Sequence, residues 1–344
     1  MHQTNNNILV LGYFGYRTNR LDGQIVKTRN VYRLLQENAF GNLDYFDTEE
    51  FRYNIFSVFA MFWKVCRSNK LVYLPAHNNL KYIFPFIYVL SVVCRFEILY
   101  LIVGGWLKEY LSNKPMHRNM LKRVKGLFTE THLLKQELEE SYQYKNVSIF
   151  FNFRFIDFSP ERHIYQKGLK LVFFARINQM KGLDVIFLMA EYIKKNYNDI
   201  TIDFYGHIYE PDKDYFYSHI DKYSFIQYKG VLETQDIHKT LEQYDVLLLP
   251  THYFTEGLPG SILDAYIAGI PVIVTKWKYA TEFVEDQKTG YIIPFEDGLE
   301  DLYNDVDLLY NNNKLLDEMK ANAFNKRTEF SSDSAWSILK PYFL

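Results

Sequence analysis

Along this chain, short apolar runs alternate with longer stretches in which apolar residues recur every three or four positions. The first run, Ile8-Leu9-Val10-Leu11, has no polar interruption, as expected of a strand buried on both faces. It ends at Gly12-Tyr13-Phe14-Gly15, and a helix is predicted from about Gly23 to Gln36 with Val31, Leu34 and Leu35 on one face. Further strands are predicted at Leu71–Leu74, Ile98–Val103, Gly126–Thr129 and Val147–Phe151, with helices such as Phe56–Arg67 and Leu133–Glu140 between them. Strands alternating with helices predict an α/β fold with a parallel sheet.

The pattern then restarts. Strands are predicted at Leu169–Phe174, Ile200–Tyr205, Phe225–Tyr228, Asp245–Leu249 and Pro271–Thr275. Helices are predicted at Leu183–Asn196, Ile237–Gln243 and Ser261–Ala268, the last closed by Gly269, and the polar-rich stretch Leu302–Arg327 is also helical. A chain of 344 residues suits two domains of about 150 each. The expected division is 1–162, 163–328 and an aromatic segment 329–344 that crosses back onto the first domain. Two Rossmann-like domains in tandem are expected to face a central cleft. Ligands of open parallel sheets bind beyond the carboxyl ends of the strands, so chemistry is sought in the loops that follow strands.

Hydrophobic residues make up 48% and charged residues 23%, an ordinary globular composition. The net charge of −2 gives no general argument for nucleic acid as a partner. Its distribution is uneven: residues 1–160 carry 20 Lys and Arg against 13 Asp and Glu, and the remainder carries 19 against 28. The first half thus invites an anionic partner. Cys66 and Cys94 form no CxxC or Cys/His pattern, which argues against zinc and a disulfide framework. The polar stretch ahead of the first strand leads us to expect no signal peptide. The longest apolar stretch, Tyr82 to Cys94, falls short of the ~20 residues of a spanning helix. A cytoplasmic protein, soluble or peripheral at the inner face of the cell membrane, is expected.

The most informative segment runs from Thr255 to Ile273. Glu256 follows a buried strand, and Gly257 and Gly260 allow close approach of the backbone to a ligand across Leu258 and Pro259. Ser261 reads as the N-cap of the next helix, whose first N–H groups favour an anion. The eight-residue spacing of Glu256 and Asp264 can aim two carboxylates at the hydroxyls of one ligand. Ser261-x-x-Asp264 reads equally well as a capping box. In a second segment, Phe173–Asp184, Arg176 and Lys181 sit on a loop between strand and helix, where a planar fork and a compact charge suit a diphosphate. A third, Leu21–Thr28, places Gly23, Gln24 and Lys27 at a helix start. A fourth places Gly104, Gly105 and Trp106 after a strand.

Taken in order, these segments resemble retaining GT-B glycosyltransferases, notably glycosyltransferase family 4. That family shows Glu, seven residues, then Glu, followed by Gly-x-Pro-Val; here Asp264 stands at the second acidic position. The resemblance spans nearly the whole chain and is more specific in its second half. It implies that Glu256 contacts the donor sugar, Asp264 the ribose, and Arg176 and Lys181 the diphosphate. It also implies catalytic roles for Glu256, Arg176 and Lys181, and donor contacts from Gly257, Leu258, Pro259, Gly260 and Ser261. Gly23, Gln24 and Lys27 resemble the loop that relatives place near donor phosphates and acceptor. Gly104-Gly105-Trp106 resembles a variant found in bacterial polysaccharide transferases, at a point where many relatives carry a His. His77 is a weak candidate for a polar role.

The implied reaction is metal-independent transfer of a sugar from a nucleotide diphosphate to a glycan or lipid-linked acceptor, with retention and without a resident cofactor. A catalytically idle sugar-nucleotide-binding scaffold and a sugar-nucleotide epimerase remain alternatives. Asp212-Lys213-Asp214 is too short a match to imply a metal site. The basic stretch Met116–Lys125 and apolar Tyr82–Cys94 read either as a solvated helix face and a core helix, or as a peripheral contact with an anionic membrane.

Overall fold

A computed structural model describes residues 6–18, 23–75, 77–161 and 168–344, with only the backbone of His77. The expected boundary at 162/163 and residues Leu21 and Asp22 of the third segment lie outside the described residues. The chain divides into two compact units, Met1–Phe155 with Ser331–Leu344, and Ile156–Phe330.

In the first unit the order is β1 (Asn7–Gly12), α1 (Gly23–Asn38), β2 (Asn42–Asp47), α2 (Ser57–Arg67), β3 (Lys70–Leu74), α3 (His77–Tyr82), α4 (Phe84–Cys94) and β4 (Glu97–Leu101). It continues through α5 (Leu107–Leu111), α6 (Pro115–Leu121), β5 (Gly126–Thr129), α7 (His132–Tyr142) and β6 (Val147–Ile149). In the second unit β7 (Leu169–Phe174), α8 (Leu183–Asn196), β8 (Ile200–Tyr205), α9 (Lys213–Ile220), β9 (Ile226–Tyr228), α10 (Ile237–Leu241) and β10 (Val246–Leu249) follow. Then come α11 (Gly260–Ile267), β11 (Val272–Thr275), α12 (Ala280–Phe283), β12 (Gly290–Ile293), α13 (Leu299–Asn311) and α14 (Asn313–Lys326), and α15 (Ser332–Leu339) returns to the first unit.

The described strands form two six-stranded sheets with parallel pairing throughout, so the α/β expectation holds. The first sheet is ordered β2-β1-β3-β4-β5-β6 and the second β12-β11-β10-β7-β8-β9. Parallel strands buried on both faces need continuous apolar runs, and β10, Val-Leu-Leu-Leu, is buried throughout. On one face of the first sheet Ile8, Val10, Val72, Leu74, Leu99 and Leu101 pack against Val31, Leu34 and Leu35 of α1 and Ala335 and Leu339 of α15. Burial of this apolar area, at about 25 cal/mol per Å², holds the last helix to the unit. Helix α2 packs against α4, where Cys66 and Cys94 adjoin as free thiols. Burial first, and Cys94 second, push the Cys66 thiol up to about 11.

Two strands are missing from those the sequence predicts, β2 and β12, and both are edge strands. An edge strand is covered on fewer sides, so Asn42-Leu-Asp-Tyr-Phe-Asp carries polar residues where a central strand carries Val or Leu. The single helical stretch expected over Leu302–Arg327 is two helices, interrupted at Asn312, whose side chain accepts from the Leu315 amide and caps α14.

Candidate functional site

In the second unit, sequence neighbours β7 and β8 run to one side of the sheet and β10 and β11 to the other. The order reverses between β7 and β10, the position beyond which open parallel sheets bind their ligands. Those loops hold Arg176 and Lys181 on one side and Glu256 on the other.

The two loops are fastened to each other. After Asn178 the chain makes a short 3-10 turn, Gln179–Lys181, and passes through Gly182 at φ +83°. A Cβ there would lie 1.9 Å from the Pro250 carbonyl oxygen, so only glycine brings this turn against the end of β10. The His252 amide donates to the Met180 carbonyl at 2.9 Å, and the Thr251 hydroxyl to the same oxygen at 3.3 Å. Asp212 accepts from both the backbone and the side-chain amide of Gln179, at 2.9 and 3.0 Å. The Asp-x-Asp string thus contributes a brace for the turn.

As a result the Lys181 ammonium donates to Oε1 of Glu256, and Tyr253 lies 5.3 Å beneath the same ammonium. Both partners are mostly buried, with 15% and 16% of their side chains exposed. Glu256 Oε2 is buried and makes no hydrogen bond among the described residues. The Asn178 side-chain oxygen and the Trp277 ring N–H, in the loops after β7 and β11, are in the same condition. Buried polar atoms are normally satisfied, and these three stand on neighbouring strand-end loops. Arg176 is exposed on the β7 loop.

Downstream, Gly257, Leu258 and Pro259 are buried and Gly260 and Ser261 half-buried. The expectation that Ser261 caps α11 is corrected. The chain is already helical at Gly260, and the cap position falls on Pro259, which has no side-chain acceptor. Ser261 therefore sits within the first turn, and Ser261-x-x-Asp264 is not a capping box. Asp264 is only 4% exposed, and the His238 Nε2 lies 3.2 Å from its Oδ1. His238 stands on α10, which packs against α11, and its ring lies 5.7 Å from that of Phe158. Sequence reading missed His238: it is 26 positions away, and no pattern in the chain links it to the acidic residue.

In the first unit Lys27 departs from expectation. Its side chain is 1% exposed, with the ammonium 2.5 Å from Glu130 and 2.8 Å from the Ile102 carbonyl. An ammonium so enclosed does not present itself to a phosphate, and burial, opposed by Glu130, lowers its pKa. The other Glu130 oxygen accepts from the Gly104 amide at 3.2 Å, so Lys27 acts by holding the Gly104–Trp106 loop through Glu130. Gly104 has φ +83°, Gly105 follows it, and the Trp106 ring N–H bonds the Val103 carbonyl at 2.8 Å. Gly23 begins α1 with open space around it, which removes the steric reason for a glycine there. Gln24 reaches the Leu74 carbonyl at 3.5 Å. The His77 side chain is outside the described residues.

The fold and site define an α/β protein with Arg176, Lys181 and Glu256 gathered on the loops at the switch point of a parallel sheet. The family model described as Glycosyl transferases group 1 matches residues 155–326, and the chain belongs to that family. The poly(ribitol-phosphate) alpha-N-acetylglucosaminyltransferase of Staphylococcus aureus is 24% identical over 208 residues, 58% of this chain and 40% of that protein. The amylovoran biosynthesis glycosyltransferase AmsK of Erwinia amylovora is 24% identical over 139 residues, 39% of this chain and 34% of its own length. The matches thus span well under two thirds of these relatives. The crystal structure of Anabaena Alr3699/HepE in complex with UDP superposes with a TM-score of 0.76 at 14% identity, covering 98% of this chain and 99% of that one. The fold is that of the GT-B glycosyltransferases.

Proposed function

We propose that this protein transfers a sugar from a nucleotide-diphosphate donor to a hydroxyl of a glycan or lipid-linked acceptor, with retention at the anomeric carbon, in bacterial surface polysaccharide synthesis. The observation that carries the reading is the Lys181–Glu256 pair at the β7/β10 switch point with Oε2 of Glu256 unpartnered. In this reading Oε2 accepts from a donor-sugar hydroxyl, while Oε1 keeps Lys181 in place. Lys181 and Arg176 stabilise the charge that develops on the diphosphate as its bond to the anomeric carbon breaks. The acceptor oxygen bonds that carbon from the face the diphosphate leaves, and its proton passes to a diphosphate oxygen. The Gly257–Ser261 loop positions the sugar, and Asp264 with His238 receives the ribose. The positive charge comes from the chain's own cations, and the nucleotide sugar enters as substrate, so no resident cofactor is assigned. Uridine diphosphate sugars are the first donors to test, because the Anabaena protein is described in complexes with UDP and UDP-glucose. We place the protein on the cytoplasmic side, in peripheral contact with the membrane.

The test is incubation with UDP-hexoses and a lipid-linked oligosaccharide fraction, followed by product analysis. An α-configured glycoside from an α-configured donor supports the reading. A β-glycoside would remove retention, an epimerised donor without acceptor product would identify an epimerase, and donor binding without any turnover would identify an idle scaffold.

A further inference from the structure

The two cysteines stand at matching places in successive helix-to-strand turns of the first unit. Cys66 lies in the last turn of α2, and Cys94 is the last residue of α4. Each is followed at once by an arginine, Arg67 or Arg95, and shortly afterwards by a strand, β3 from Lys70 or β4 from Glu97. Those strands pair in parallel with Lys70 opposite Glu97, and the Glu97 amide donates to the Asn69 carbonyl at 2.9 Å. The pairing sets the two helix ends side by side. Arg95, at φ +60°, turns the chain out of α4. Ser68 closes α2, its amide at 3.2 Å and its hydroxyl at 2.8 Å both donating to the Val65 carbonyl.

Helix α2 packs on α4, and both cysteines are free thiols. Burial, and then its hydrogen bond to Cys94, hold the Cys66 thiol above the ordinary value of 9.0, so the two sulfurs face each other. Cys66 is exposed and Cys94 half-buried, which lets a small disulfide reach them. Among the described residues no group of three or more His, Cys, Asp or Glu is placed to hold a metal ion, so metal ligation does not account for the pair. From Phe51 to Phe96 the chain carries six Lys and Arg and no Asp or Glu. That local field attracts an anionic disulfide such as that of glutathione.

The pair lies at the amino ends of β3 and β4, whereas Gly104–Trp106 follows the carboxyl end of β4. A bond between the sulfurs would join the helices without entering that loop. It would close a length of chain containing β3 and α3, and so restrict the unfolded chain more than the folded one.

We propose that Cys66 and Cys94 are a reversible thiol–disulfide pair that ties α2 to α4 when the surrounding pool of small thiols is oxidised. The oxidant is a small disulfide. One cysteine sulfur, as thiolate, displaces a thiolate from it and forms a mixed disulfide; the other cysteine sulfur then displaces the second thiolate, and the Cys66–Cys94 bond forms. The protein gives up two electrons and two protons, which leave as two molecules of small thiol, and an excess of that thiol reverses both steps. The pair needs no nucleotide sugar and stands apart from the transfer reading.

The full chain, reduced, is equilibrated for hours at about pH 8 in glutathione buffers of increasing disulfide fraction, because a raised thiol exchanges slowly. Free thiols are then capped with N-ethylmaleimide and the intact mass is read. At the oxidising end we expect an uncapped monomer lighter by two hydrogens than the reduced chain, and a linked Cys66–Cys94 peptide after digestion. Its melting temperature should be raised by about 5 °C or more, and dithiothreitol should abolish the rise. Cys66→Ser and Cys94→Ser should each stop at a glutathione adduct or a capped thiol and show no such rise. Both thiols capped throughout the series, a glutathione adduct on each cysteine, a dimer linked between chains as the main product, or an oxidised monomer that melts no higher than the reduced one would overturn the assignment.

Discussion

Glu256 accepts from Lys181 with one oxygen and leaves the other buried and unpartnered. A carboxylate in that position is held by the ammonium through one oxygen and retains the other as an acceptor for a ligand. Glu256→Gln preserves the shape, removes the charge and loosens Lys181; it should lower kcat by about 10²–10³-fold with little change in melting temperature. Steady-state kinetics beside a thermal melt checks this. Lys27 behaves oppositely, because it pairs with Glu130 inside the unit. Lys27→Met leaves the buried Glu130 carboxylate without its cation and should cost about 3–5 kcal/mol in urea unfolding, most of it restored by adding Glu130→Leu. At this scale Lys181, Arg176 and Glu256 are legible in the sequence because a strand-end loop announces them by position. Glu130 and His238 are not, since their partners lie 103 and 26 positions away and only tertiary packing unites them. The same blindness hides the fate of Lys27: a lysine at a helix start reads the same whether it faces a phosphate or a buried carboxylate.

The elements repeat the lesson through their surroundings. Central strands are legible as uninterrupted apolar runs, whereas β2 at a sheet edge lacks the burial that writes such a run. The start of α11 misled because capping preference ranks Ser above Pro, while the cap position falls two residues earlier, on Pro259. Gly182 is where two elements touch: Gly182→Ala should destabilise the chain by at least about 2 kcal/mol, since φ +83° and the Pro250 oxygen both oppose a Cβ. Denaturant midpoints measure that, and nucleotide affinity should fall with them because the turn carries Lys181. On α13, burial first, then Asp286 and Asp301, raise the Asp305 carboxyl to about 7. A raised carboxyl favours the folded state while protonated. Its contribution is therefore full below the ordinary value of 3.8 and is lost as pH rises towards 7. Asp305→Asn should raise the melting temperature at about pH 8, and the gain should vanish near pH 4.

The whole molecule joins two parallel sheets, one basic in its helices and aromatic on one face, the other with its polar loops gathered at a switch point. The charge asymmetry between the halves was legible from composition. The exposed stripe of α2 was not, because Phe56, Phe59 and Trp63 at helical spacing do not say which side they face until the helix is placed. Family membership follows from the match over residues 155–326, the region that holds the switch-point loops. The functional reading therefore stands or falls on what the second unit binds. Isothermal titration of UDP, GDP and their hexose conjugates into the wild type and an Arg176→Ala/Lys181→Ala variant asks this directly. One nucleotide and its sugar conjugate should bind the wild type, with affinity reduced by about two orders of magnitude or more in the variant. Binding by none of them, or equal binding by the variant, would contradict a diphosphate-sugar site at the β7/β10 loops.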